Sequence, residues 1–143
     1  MRLIAIIILA LSPMINYAQE VLDFKAKNES NTRERTYMLD LIRSELYKSE
    51  KIEMKFVVEH FKVSAEYAWF EGTAQRKDDK PLVFPSDRMG DCCKVYCLFN
   101  KIDNRWTIER FLPFCMDVCY WGIGNQYPAP SSIFPKNDAY FAE

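Results

Sequence analysis

A lone histidine, an aspartate ahead of a glycine pair and five cysteines in two clusters are the side chains here with chemistry beyond packing. His60 lies in the apolar run Phe56 to Val63. An imidazole beside a carboxylate can act as a general base near neutral pH. Glu59, Glu71, Glu109 and Asp117 are the conceivable partners. Strand alternation puts the adjacent Glu59 on the opposite face. No serine or cysteine is fixed beside His60 by sequence, so a nucleophilic triad has no support. A histidine among Phe and Val on a strand is more often a packed core or rim residue. Asp117 could serve as an acid or base in a pocket. Its ordinary role would be the N-cap of a short helix, with its carboxylate on free amides at the positive end of the dipole.

The cysteines are Cys92, Cys93 and Cys97, then Cys115 and Cys119. Both clusters contain a C-x3-C spacing, which zinc sites tolerate. In an exported chain disulfides are the ordinary outcome. With Asp103-Asn104 as a hairpin turn, Ile102 faces Arg105, Phe99 meets Ile108, Cys97 meets Arg110 and Cys92 meets Cys115. Directly opposed strand residues are within disulfide reach. The expected bridge is therefore Cys92 to Cys115. A three-residue turn would shift the register by one and pair Cys93 with Cys115 instead. Cys119 could reach whichever of Cys92 and Cys93 is left, and Cys97, in mid-strand, should stay reduced. Neither a metal nor a cofactor is expected: Gly122-x-Gly124 lacks the third glycine of a dinucleotide site. Tyr67, Trp69, Tyr120 and Trp121 are candidates to line a ligand groove, although core packing is the commoner fate of such rings.

These groups need a frame, and hydrophobic periodicity supplies one. From Asn31 to about Lys48 the pattern is helical, with Met38, Leu39, Ile42 and Leu46 forming one apolar stripe. Asn31 and Glu34 have the spacing of a capping box. Asp40 and Arg43 can pair across a turn, and an arginine at the sheet edge could hold an anion. Phe56 to Ala74 reads as a hairpin broken at Ser64-Ala65-Glu66. On its first strand Met54, Phe56, Val58 and His60 share one face, and Val57, Phe61 and Val63 the other. On its second strand Tyr67 and Trp69 oppose Ala68, Phe70 and Ala74. A second hairpin runs from Cys92 to Phe114, with Val95, Phe99, Trp106, Ile108 and Leu112 on the core face. Residues 77–91 form a long loop in which Leu82, Val83 and Phe84 could fold back as a flap. A short helix follows Asp117, and Ile133 and Phe134 close an extended tail. Both hairpin faces are apolar, so the sheet should be covered on both sides or line a pocket. The class is α+β: an N-terminal helix packed on a four-stranded antiparallel meander, with a short C-terminal helix and an extended tail.

Composition bounds the function. The 143 residues are 49% hydrophobic and 27% charged, which fits one folded domain over 31–143. Lys and Arg total 19 against 20 Asp and Glu, with no basic stripe, so a nucleic-acid footprint is not expected. Residues 1–18 have the form of a signal peptide: Arg2, the apolar run Leu3 to Leu11, the break at Ser12-Pro13, and Ala18 before Gln19. That run is too short to span a bilayer. Export to the periplasm or outside the cell is the expectation, with no membrane attachment after cleavage and 19–30 as a flexible lead-in.

The chain resembles a family of small exported bacterial proteins with no assigned biochemical role. The resemblance rests on Arg35-x3-Leu39-Asp40-x2-Arg43, on FVVEHFKV from Phe56 to Val63 and on YAWFEG from Tyr67 to Gly72. It continues in CLFNK before Trp106 and in Asp117-Val118 leading to Tyr127-x2-Pro130 and Phe134. It implies a cystatin-like or nuclear-transport-factor-2-like helix-on-sheet fold, and it carries over no catalytic residue. Enzymes of the latter fold keep an Asp or His in a cone-shaped pocket, which is what gives Asp117 its interest. The leading expectation is a non-catalytic module that binds a small molecule or a protein. The alternatives are a small pocket enzyme doing proton transfer or hydration through His60 or Asp117, and an inhibitor-like domain acting on another protein through the 77–91 loop and the hairpin ends.

Overall fold

A computed structural model describes residues 19–83, 93–115 and 117–143. The leader expected at 1–18, Phe84 with the remainder of the 77–91 loop, and Cys92 lie outside the described residues. The elements are β1 (Leu22–Asp23), α1 (Thr32–Glu50), β2 (Met54–Val63), β3 (Tyr67–Arg76), β4 (Lys94–Ile102), β5 (Arg105–Pro113) and α2 (Ile123–Gln126), followed by 3-10 turns at Ser131–Ile133 and Asp138–Phe141. One antiparallel sheet runs in the order β1-β2-β3-β4-β5. It has five strands where four were expected.

The fifth strand comes from the lead-in. Leu22 and Asp23 pair with Val63 and Lys62, and the N–H of Phe24 donates to the Phe61 carbonyl at 2.7 Å. Phe24 is buried and meets Phe61 edge to face at 5.7 Å. A two-residue strand has no period to read, which is why the sequence pattern misses it.

On α1 the buried residues are Met38, Leu39, Ile42 and Leu46, the expected stripe. Its start differs from expectation. Asn31 makes no side-chain cap; its Oδ1 accepts from the Asn28 N–H and its Nδ2 donates to the Ala26 carbonyl, both at 2.9 Å. The capping box is therefore replaced by a bracket that folds the lead-in onto the helix. Arg35 extends the bracket by donating to the carbonyls of Phe24 and Lys25. The Asp40–Arg43 pair forms at 2.6 Å, on the surface, where it contributes a few tenths of a kcal/mol.

The sheet is covered on both sides. Phe61, Ala68, Phe70, Val95, Cys97 and Phe99 cluster with the α1 stripe. Trp69 and Leu98 cluster with Ile123, Ile133, Phe134 and Tyr140 of the C-terminal segment.

Two bulges decide which residue faces which cover. Pairing in β2 jumps from Val58↔Gly72 to His60↔Glu71, so Glu59 has no opposite number. Phe61 and Val63 therefore join Met54 in the helix-side core, and His60 turns to the tail side instead of sharing a face with Val58. Glu59 was expected across the sheet from His60. It instead bonds the Thr73 hydroxyl at 2.9 Å and the Lys94 ammonium, both in alternation with the tail-side Trp69 and Tyr96. Burial alone would raise the pKa of Glu59, but these donors win and lower it.

The second hairpin keeps the expected register from Ile102↔Arg105 to Phe99↔Ile108, then shifts so that Leu98 meets Arg110 and Cys97 meets Phe111. Beyond the shift Phe111 packs on the helix side, and Leu112, expected there, packs with the tail.

The shift alone would set Cys115 level with Cys93, the second pairing expected, yet neither expected bridge to Cys115 forms. Cys115 is bonded to Cys119, with Cα atoms 5.9 Å apart, so it is joined to neither Cys92 nor Cys93. The ladder ends at Phe114, whose N–H donates to the Lys94 carbonyl and whose φ of 52° turns the chain off the strand. Cys115 thus closes a local loop instead of bridging the hairpin. Cys93 is itself disulfide-bonded. Cys97 is free and buried, the state its mid-strand position implies.

Non-reducing peptide mapping should find Cys115 and Cys119 oxidised within one tryptic peptide, lighter by two hydrogens than its reduced form. Replacing both by serine should cost about 2 kcal/mol, the chain-entropy value for so short a loop. Recovery of Cys115 linked to Cys93 would restore the hairpin bridge and contradict this assignment.

Candidate functional site

His60, the histidine that sequence offers as a catalyst, helps to hold the C-terminal segment to the sheet. His60 Nε2–H donates to the Ile133 carbonyl at 2.7 Å. The ring lines an open cleft of about 790 Å³ together with Lys62, Phe134, Lys136, Asp138 and Phe141. Glu59, Glu71, Glu109 and Asp117 do not line that cleft. Asp117 is not the N-cap expected of it. It sits at φ 57° on an exposed turn inside the Cys115–Cys119 loop, and α2 starts only at Ile123. The N-cap is Gly122 at φ 68°, where a Cβ would meet the Ala142 carbonyl oxygen at 2.8 Å, so that position requires glycine.

Glu71 is the second anchor, and sequence reasoning gave it no such role. Its Oε1 accepts from Trp69 Nε1–H at 2.7 Å and from the Tyr140 hydroxyl. Tyr120 stacks on Tyr140 at 4.4 Å, and Tyr96 lies parallel to Trp69 at 6.1 Å. Burial, then the bond to the Glu71 carboxylate, pushes the Tyr140 phenol well above the ordinary tyrosine value. Burial and the Glu71 charge raise Tyr120 as well. Of the four rings offered for a ligand groove, Trp69 is fully buried and Tyr67 and Tyr120 pack against the tail cluster. Trp121 is 56% exposed. The structure therefore gathers three of them beneath the tail. A carboxylate two residues after a strand tryptophan is the signal that could have located this anchor.

A different place presents polar groups to solvent. A cleft of about 820 Å³ lies between the first two turns of α1 and the tip of the β4–β5 hairpin. Arg33, Glu34 and Tyr37 form one wall, and Lys101, Arg105 and Trp106 the other. The hairpin turn places Asp103 and Asn104 at φ 49° and 61°, which suits a tight two-residue connection. Trp106 is buried and donates its indole N–H to Glu34 Oε1. Lys101 Nζ reaches the same oxygen at 3.1 Å and stands 4.9 Å from the Trp106 ring centre. Glu34 is thus neutralised in place and joins the helix to the hairpin. The Arg33 and Arg105 side chains are exposed and make no ion pair or hydrogen bond with any described residue. Tyr37 is 46% exposed. Sequence reasoning missed this cleft because its two walls are some seventy residues apart; the local trace is Arg33 and Tyr37, one turn apart on α1.

No protein-family model, curated protein or solved structure matches the chain. Among the described residues no helix is long and apolar enough to cross a membrane.

The Tyr140 anchor predicts a specific alkaline weakness. A folded-state pKa above the unfolded value gives stability that is full below about pH 10 and lost as pH rises toward the folded value. Urea midpoints taken near pH 8 and near pH 11 should fall further for the natural chain than for Tyr140→Phe. At the lower pH that variant should be weaker by about 1 kcal/mol, the worth of one hydrogen bond. Equal falls in the two proteins would contradict the assignment.

Proposed function

We propose that this chain is an exported, non-catalytic interaction module that engages another protein through the cleft between α1 and the β4–β5 hairpin. One observation carries the reading: the Arg33 and Arg105 side chains stand exposed on opposite walls of that cleft with no side-chain partner among the described residues, whereas the His60 ring is bonded into the frame. Polar groups that a fold does not use for itself are candidates for recognition. Export follows from the form of residues 1–18 and agrees with disulfide bonding at Cys115 and Cys119. A helix laid on an antiparallel sheet also agrees with the resemblance to small exported proteins of the cystatin-like or nuclear-transport-factor-2-like type.

A second reading, a small pocket enzyme, draws on His60 and Asp138 lining one cleft. Against it, the Nε2–H bond to the Ile133 carbonyl makes the ring part of the tail's anchoring, and none of the carboxylates expected beside His60 lines that cleft.

Protein recovered from the exported fraction should have an intact mass that begins near Gln19. In that mature protein His60→Gln should lower unfolding stability by about 1 kcal/mol, the worth of one hydrogen bond, and leave partner affinity unchanged. A His60→Gln protein of unaltered stability that has lost a measurable turnover would favour the enzyme instead.

A further inference from the structure

Resting on that reading, we infer that the α1–hairpin cleft recognises an acidic polypeptide segment, gripping its carboxylates with Arg33 and Arg105 while an apolar side chain packs on Tyr37. Among the described residues Glu34 is the one acidic group lining the cleft, and Lys101 answers its charge at 3.1 Å while Trp106 occupies the same oxygen. The two guanidinium groups therefore set the sign of the field an arriving ligand meets. Guanidinium forks match carboxylates in paired, charge-assisted hydrogen bonds. Because Arg33 stands on the helix and Arg105 on the hairpin, one carboxylate at each wall requires a ligand that spans the cleft. A chain with acidic residues spaced along it does so, and one free carboxylate does not.

The surroundings narrow the class. Arg33, Tyr37 and Arg105 are all exposed, so the cleft is open to solvent along its length. A small molecule there would keep much of its surface wet, unlike the ligands of concave pockets that bury most of theirs. A nucleic acid needs a run of cations along its backbone. This cleft offers three cations, with Glu34 among them, on a chain of formal net charge −1. Tyr37 supplies what a purely ionic surface lacks, an exposed ring against which an aliphatic or aromatic side chain can pack.

The test uses the mature chain and a labelled eight-residue peptide of alternating glutamate and leucine, read by fluorescence anisotropy in low salt. A glutamine–leucine peptide of the same length, free glutamate and an eight-nucleotide RNA serve as comparisons. The glutamate peptide should bind about tenfold or more tightly than the glutamine peptide, and a tenfold rise in salt should remove most of that preference. The double variant Arg33→Gln/Arg105→Gln should lose the preference with an unchanged melting temperature, because neither side chain bonds a described residue. Lys136→Gln, in the cleft beside His60, should keep it. Equal binding of the two peptides would overturn the charge inference and leave the binding reading standing. Preference for the RNA, retention of the glutamate preference by the double variant, or binding of none of the probes would each overturn it. In the last case the His60→Gln comparison still decides between module and enzyme.

Discussion

Strand β3 is buried on both of its faces, and the rest of the molecule follows from that. Trp69 and Phe70 are neighbours in sequence, point to opposite sides of the sheet and are both fully buried. A sheet with such a strand at its centre needs two covers. The 19-residue helix α1 supplies one. The other has to come from a segment with only one four-residue helix and two 3-10 turns. Such a segment cannot hold itself together by helix packing. It is tied to the sheet instead by individual bonds, His60 to Ile133 and Glu71 to Tyr140, and closed on itself by the Gly122 N–H to the Ala139 carbonyl. The Cys115–Cys119 loop lies where the chain passes from Phe114, in the helix-side core, to Tyr120, in the tail cluster.

This requirement reassigns the polar residues that look reactive in the sequence. A histidine and a glutamate amid aromatic residues suggest an active site. In the folded chain each is the sheet's contribution to an anchor for the tail. The Tyr140 phenol is held neutral because burial and the Glu71 carboxylate both oppose its ionisation. Polar side chains that the fold leaves unbonded then fall elsewhere, at the junction of helix and hairpin, where Glu34, Lys101 and Trp106 bond one another and the Arg33 and Arg105 side chains bond no described residue.

Much of this was legible beforehand, because hydrophobic period is a strong signal over long elements. The α1 stripe of Met38, Leu39, Ile42 and Leu46, the break at Ser64-Ala65-Glu66, the Asp103-Asn104 turn and the burial of Ile133 and Phe134 all follow the pattern. What the pattern could not reveal were single-residue events. A bulge adds one residue and reverses every facing beyond it. Nothing in the residue types at Glu59 or Glu109 marks one. Yet these two events moved His60 to the tail side, exchanged Phe111 for Leu112 and displaced the register from which a Cys92–Cys115 bridge was expected. The capping box failed for a related reason. Asn31 and Glu34 had longer-range partners in the lead-in and in Trp106, and tertiary bonds outranked the local motif.

The claim that the C-terminal segment is the sheet's second cover is tested most directly by a chain that ends at Pro130. That truncation removes Ile133, Phe134 and Tyr140, all buried against Trp69 and Leu98. Each large apolar side chain is worth roughly 1.5–3 kcal/mol of burial, so their joint loss approaches the whole stability margin of an ordinary domain. Urea unfolding of the truncated chain, followed by circular dichroism and by binding of a hydrophobic dye, should show a lost or much weakened cooperative transition and dye bound to the exposed sheet face. A truncated chain that unfolds cooperatively at the midpoint of the intact protein, with no dye bound, would contradict the account.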